Sequence, residues 1–316
     1  MFAARGIAVS FSVFMIVYCA LSAAVCFGWR KFSSYSRKNS VRRVADLLFA
    51  LRMLPLAAAL AVTVMFTVPS FLLLEPRAID EPIGAVTLAL SLCGAMLIVF
   101  GAANAGMAAW RSSRTVAGWM GGAEPIESSS PVPVLRIARK VPAMTAAGIL
   151  RPKVLMSGAA EFILTVNELQ TALRHEVAHV QRRDNLKKLL LRFVVFPGMA
   201  GLESAWQEAT EMAADDAAVS NAGEALDLAA ALIKVSRLGP PESHAELTAA
   251  LVHSPVSAMN ARVKRLIAWN ESRLAPAQKY SLWYGLGAVA AMAAGFAVTY
   301  SALLSRVHTA TEWLVR

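Results

Sequence analysis

Charge is scarce in this chain. Only 16% of its 316 residues are Asp, Glu, Lys or Arg, 57% are hydrophobic, and the mean hydropathy is +0.51. Such a composition excludes an ordinary soluble domain and points to a membrane protein. Cysteine is scarce too. Cys19, Cys26 and Cys93 each lie inside an apolar run without metal-ligand spacing, so they read as buried small residues. The apolar spans carry no charged residue of the kind that lines an ion or substrate path, which argues against a transporter. Histidine is limited to five positions, so any clustering among them carries information.

The formal net charge of +10 is the one feature that points toward nucleic acid. Much of that excess flanks apolar spans, where cytoplasmic lipid is the expected neighbour, so no nucleic-acid partner is expected. Residues 6–29 are uncharged and long enough to cross a bilayer. The run exceeds a signal peptide's apolar core, and a basic loop over 30–52 with Arg30, Lys31, Arg37, Lys38, Arg42 and Arg43 follows it. The expectation is therefore an uncleaved anchor with its N-terminus outside. A second span, 53–74, contains Pro55 and Pro69. Glu75, Asp80 and Glu81 after it place the next connection outside, and a third span, 83–109, returns to Trp110, Arg111 and Arg114. Residues 121–131 read as a linker, 132–280 as a water-facing domain and 281–304 as a fourth span, with Trp283, Tyr284 and Tyr300 at its interfaces. Four crossings put both termini outside.

The densest chemistry lies in Leu173-Arg174-His175-Glu176-Val177-Ala178-His179-Val180. Thr165 and Glu168 form a capping box, and Leu169, Leu173, Val177 and Val180 repeat at helical spacing. On that helix His175 and His179 sit one turn apart and can share an ion. Zinc accepts two imidazoles and keeps an open corner for water in catalytic sites. Glu176 is then placed to take the proton from that water. The third ligand must come from elsewhere. Residues 203–220 read as a helix on which Glu211 and Asp215 share a face, Glu211 as ligand and Asp215 as acceptor for a distal imidazole N–H, with Glu208 as a rival.

Asp184 is five residues beyond His179. On a continuous helix it lies about 140° around and points away from the metal, so a helix-end or ion-pair role is expected for it. The basic residues Arg182, Arg183, Lys187 and Lys188 are expected near lipid headgroups. Val132 to Ala138 and Lys153 to Met156 are β-prone runs, and an exposed edge strand of a small sheet would suit an extended peptide as well as plain packing.

The text from Glu168 to Asp184, preceded by Gly148-Ile149-Leu150-Arg151-Pro152 and followed by Glu211-Met212-Ala213-Ala214-Asp215-Asp216-Ala217, resembles the BlaR/MecR-type β-lactam sensor-transducer membrane metallopeptidases. The resemblance covers nearly the whole chain. It implies a multi-pass α-helical membrane protein with an inserted α+β zincin-like metalloprotease domain between the third and fourth transmembrane helices. It also implies one zinc per chain on His175, His179 and Glu211, Glu176 as general base, and cleavage of a cytoplasmic protein such as a transcriptional repressor at a bacterial inner or plasma membrane. Ala214 replaces the family's usual cysteine, and the chain is expected to lack the C-terminal penicillin-binding sensor domain. His253-Ser254-Pro255 with Arg262-Val263-Lys264-Arg265-Leu266 looks like the closing segment of CAAX-type membrane proteases, which implies a transition-state-stabilising role for His253 or Arg262. The alternatives are a constitutive membrane quality-control protease and a non-catalytic receptor or scaffold held together by zinc.

Overall fold

The computed structural model describes residues 2–32, 40–76, 82–127, 130–138, 143–238, 247, 249–250, 256–269 and 299–312. The chain packs as two compact units. One gathers Met1–Arg30, Leu51–Phe100 and Pro276–Arg316; the other gathers Lys31–Ala50 and Gly101–Ala275.

The first unit is helical. α1 spans Phe2–Phe32, and α2 spans Val41–Val62 and runs through a wide turn, Thr63–Thr67, into α3, Val68–Leu74. α4 spans Ala85–Trp119. Three stretches, Phe2–Trp29, Val41–Leu74 and Ala85–Trp119, are long and apolar enough to cross a membrane. Their shared faces use small residues. Ser12 donates to the Thr87 carbonyl at 2.8 Å, and a Cβ added to Gly94 would lie 2.8 Å from the Phe11 carbonyl oxygen. Most of the expected fourth span, with Trp283 and Tyr284, lies outside the described residues; a helix occupies 299–312.

One local expectation is corrected here. Residues 41–52, read as loop, are the first turns of α2, because Val41, Val44, Leu47 and Leu48 continue the helical apolar pattern. Tyr300 donates to the Met65 carbonyl at 2.9 Å and packs against Phe66. Pro69 explains the vacancy that it fills. Proline has no N–H for the carbonyl four residues back, so the helix widens just before it and the Met65 oxygen takes a tyrosine hydroxyl.

The second unit holds a mixed five-stranded sheet. β1 is Glu124–Ile126, β2 Val134–Ile137, β3 Met144–Ala147, β4 Lys153–Ser157 and β5 Ala249–Ala250, in the order β1-β2-β4-β3-β5. Only β2 and β4 run parallel. β1 falls inside the stretch read as a linker, where pairing with β2 outweighs the turn-prone composition. Helices follow in chain order: α5, Gly158–Ile163; α6, Val166–Gln181; α7, Asp184–Phe193; α8, Ala200–Ala218; α9, Ala222–Ser236; and α10, Val256–Ile267.

Both faces of the sheet are covered. On one face Val134, Met144, Val154 and Met156 pack with Ala172 and Val177 of α6 and Leu228 and Leu232 of α9. On the other, Trp119 at the end of α4 covers Ile137, Ala147 and Leu155. Alternate residues of β4 thus enter opposite cores, which is why its centre, Val154-Leu155-Met156, is continuously apolar. The same helix meets α7: Asn104 donates to the Arg192 carbonyl at 2.8 Å, and a Cβ on Gly101 would collide with the Phe193 carbonyl oxygen. Gly101→Val should therefore cost about 1 to 3 kcal/mol by forcing backbones apart, read as a lower thermal midpoint. Gly106→Val, where a Cβ meets open space, is the control and should change it little.

Candidate metal centre

α6 begins at the expected capping box. The Thr165 hydroxyl accepts from the Glu168 N–H, and the Glu168 carboxylate accepts from the Thr165 N–H at 2.8 Å. Lys234 of α9 donates to the same carboxylate at 2.7 Å, fixing the helix start against its neighbour. One and a half turns further on, Thr171, His175, Glu176 and His179 all face the interior. The helical spacing of the two histidines does what the sequence suggested: their Nε2 atoms lie 3.2 Å apart, with the rings edge to face.

Glu211 of α8 completes the set. Its Oε2 is 3.6 Å from His175 Nε2 and its Oε1 is 3.7 Å from His179 Nε2. Ligand atoms of the three residues all lie within 4.8 Å of one another. Donors around a tetrahedral zinc at about 2.1 Å stand about 3.4 Å apart, so the observed spacings suit an ion of that size. Glu208, the rival ligand, is exposed.

The far side of each imidazole is held by a carboxylate. Asp215 Oδ1 is 3.0 Å from His175 Nδ1, and Asp184 Oδ2 is 2.8 Å from His179 Nδ1. Each Nδ1 therefore carries the proton, and both Nε2 lone pairs converge beside the Glu211 carboxylate. Three electron-pair donors facing one point could hold a metal ion. Burial alone would lower the basicity of His175, yet its contacts with Asp215 and Glu211 outweigh that and push its pKa up to about 9. Burial holds His179 below its ordinary value despite the nearby carboxylates.

Asp184 is the main correction to the sequence reading. The 140° argument assumed one continuous helix, but Arg183 has φ of 53°, in the left-handed region. That residue ends α6 and starts α7, turning Asp184 back beneath His179. The same turn brings Asn185 to β3, where its amide donates to the carbonyls of Ala146 and Gly148, each at 3.0 Å. The Asp-Asn pair after a basic turn is a helix-start signal that the sequence does carry. Asp184→Asn should weaken metal binding about 10- to 100-fold while leaving the fold intact, as measured by competition with a chromophoric chelator.

The basic residues beyond α6 also meet carboxylates. Arg182 and Lys187 lie 3.5 and 3.2 Å from Asp46 on α2, and Lys187 sits over the Phe49 ring. Both also approach Asp184 Oδ1, at 3.6 and 3.9 Å. Lys188 is close enough to Glu211, Asp184 and Glu176 to feel their charge, while burial lowers its pKa. Arg183 is exposed.

Glu176 is fully buried beside the two histidines. The Ala146 N–H of β3 donates to its Oε2 at 2.7 Å, and its Oε1 has no partner among the described residues. Burial pushes its pKa up to about 8, with His175 opposing and Glu211 adding to the rise. Arg262 of α10 is buried and clasps two carboxylates. Its Nε and Nη2 reach Asp215 at 2.8 and 2.6 Å, and its Nη1 reaches Glu211 Oε2 at 2.9 Å. Burial raises the cost of ionising Asp215 and Glu211, but Arg262 overcomes it and holds both well below the ordinary carboxylate range. Its Nη2 also lies 3.5 Å from His175 Nε2, which puts the guanidinium beside the converging donors. His253 lies outside the described residues.

The strand beside the site is β3, and it is not an edge. β4 lies on one side and β5 on the other, with Ala146 opposite Ala249 and Thr145 opposite Ala250. Among the described residues the sheet's edges are β1 and β5. No protein-family profile, curated protein or solved structure matches this chain.

Proposed function

We propose that this protein is a membrane-embedded zinc endopeptidase that cuts a cytoplasmic protein, with a transcriptional repressor as the kind of substrate that its resemblance to the β-lactam sensor-transducers suggests. The observation that carries the reading is the convergence of His175 Nε2, His179 Nε2 and Glu211 on one point, with a buried, half-tethered Glu176 beside them. A zinc ion there would supply a Lewis acid that acidifies water and polarises the scissile carbonyl. Glu176 Oε1 accepts the water's proton and returns it to the leaving amine, while the Ala146 N–H keeps the carboxylate from rotating away. Glu211 would help to hold the ion, while its Oε2 pairs with Arg262 at 2.9 Å. Asp215 and Asp184 keep both imidazoles in the ligating tautomer.

The site has a definite pH signature. The general base must be ionised, so kcat/KM rises with pH through the Glu176 pKa. Burial lifts that pKa from 4.5 toward about 8, and a bound cation pulls it back down. The acidic limb should therefore have its midpoint between those two values. Below about 9, protons compete with metal for His175 Nε2, so metal affinity should fall about tenfold per pH unit once the other ligands are ionised.

A cytoplasmic orientation of the sheet-bearing unit is supported by the basic stretch at the start of α2 and the acidic connection after α3. Signalling is favoured over housekeeping by one contact: Asp46, on the helix that continues to Leu74, meets Arg182 and Lys187, which in turn approach Asp184 behind His179. Sequencing of new protein N-termini in cells carrying the wild type or His175→Ala tests this. A few new cytoplasmic termini that depend on His175 support signalling proteolysis. Many membrane-protein termini would mean quality control, and none would mean a zinc-held scaffold.

A further inference from the structure

We propose that Glu75, His308 and Glu312 form a second metal site, for a divalent transition ion of the zinc class, in the helical unit. His308 has no partner that the sequence reveals; the structure supplies two. On the helix over 299–312, His308 and Glu312 stand one turn apart, and Glu75 approaches from the end of α3. Glu75 Oε2 lies 3.7 Å from His308 Nδ1, and Glu312 Oε1 lies 3.6 Å from His308 Nε2. One ligand atom from each residue falls within 4.8 Å of the others.

Those separations are too long for hydrogen bonds, which close at about 2.7 to 3.2 Å, and they run to opposite nitrogens of the ring; an ion takes one of these nitrogens, and one atom from each carboxylate lies within 4.8 Å of it. Glu75 behaves as Glu211 does. Its side chain is only 8% exposed, one oxygen pairs with an arginine, Arg5 Nη1 at 3.1 Å, and the other is directed at the imidazole. Arg5 offsets one of the two carboxylates, so with a neutral imidazole the cluster keeps one negative charge to attract a cation.

The donor set selects the ion. One imidazole and two carboxylates suit zinc, copper or nickel, whereas calcium and magnesium prefer oxygen alone. Glu312 is 43% exposed, so the ion can enter from that side and water can fill the remaining coordination. Binding would strap the C-terminal helix to α3. On the orientation proposed above, on which the binding does not depend, the strap lies on the extracytoplasmic side.

The test is metal content of the full chain in lipid nanodiscs, measured by plasma mass spectrometry after loading with zinc and desalting. Two zinc ions per wild-type chain are expected, one in His308→Ala, one in Glu312→Gln, and one in His175→Ala. Glu312→Gln alters a half-exposed residue and guards against misfolding of the histidine variant. Copper loaded into His175→Ala should show an electron paramagnetic resonance spectrum with nitrogen coupling that disappears when His308 is also replaced. A single zinc in the wild type that is indifferent to His308 overturns the proposal, as does a second zinc that survives both His308→Ala and Glu312→Gln. Because no activity is measured, a failure here leaves the peptidase reading untouched, and the reverse also holds.

Discussion

Glu176→Gln should abolish peptide cleavage while the protein keeps its metal. The substitution preserves shape, and the glutamine carbonyl can still accept the Ala146 N–H that holds Oε2 at 2.7 Å. What disappears is a proton acceptor. General-base groups contribute about 10²- to 10⁴-fold, and here the same atom also returns the proton to the leaving amine, so the loss should lie at the upper end of that range. Neither ligand histidine touches Glu176 through its ligating nitrogen, so zinc content should stay at the wild-type level. Removing a buried carboxyl whose pKa is pushed up to about 8 should also not weaken the fold. A variant that loses its metal together with its activity would assign Glu176 to the ligand set instead.

The second large effect concerns stability. Asp215→Ala should cost about 3 to 5 kcal/mol, because it leaves the Arg262 guanidinium, 2% exposed, without the carboxylate that meets it at 2.6 and 2.8 Å. Glu211 remains as a carboxylate partner. The same change frees His175 Nδ1, so metal affinity should drop about 10- to 100-fold as well. Removing both charges with Asp215→Leu and Arg262→Met should recover only part of the stability, since the apolar pair replaces one ion pair but leaves Glu211 without its guanidinium partner. It should not recover metal affinity. That split separates a structural ion pair from one that orients a ligand, and a double-mutant cycle on thermal midpoint and on metal affinity measures both.

The parts legible in the sequence were those set by short-range periodicity. Thr165 with Glu168, the apolar stripe of α6 and the one-turn spacing of His175 and His179 are all local, and so is the spacing of Glu211 and Asp215. The structure brings these residues together where the sequence analysis expected a site. Asp184 was misplaced because one residue, Arg183, adopts a left-handed backbone that no periodicity encodes. The strand that tethers Glu176 was missed for a different reason. Met144-Thr145-Ala146-Ala147 lacks β-branched and aromatic character, and it becomes a strand because β4 and β5 pair with it and both of its faces are buried. Arg262 was recognised as notable, but its role depends on α10 packing against α8 across more than forty residues of chain, which spacing does not convey.

The pairing of β5 with β3 also shapes how a substrate can approach. A peptide that extends the sheet next to Ala146 must either take the outer edge of β5 or replace it, since the edge of β3 is already occupied. Glu176, beside the two histidines on α6, is nonetheless tied to β3 through the Ala146 N–H.

Reversible metal dependence of cleavage is the most direct test. The wild-type chain in nanodiscs would be stripped with a chelator, desalted, and returned to zinc, with its cut products read by mass spectrometry at each stage against a substrate found by terminal sequencing. The account predicts cleavage at the start, none after stripping, and recovery in step with zinc bound at His175, His179 and Glu211. Cleavage that persists in a metal-free chain, or zinc that returns to those residues without restoring it, would contradict the account.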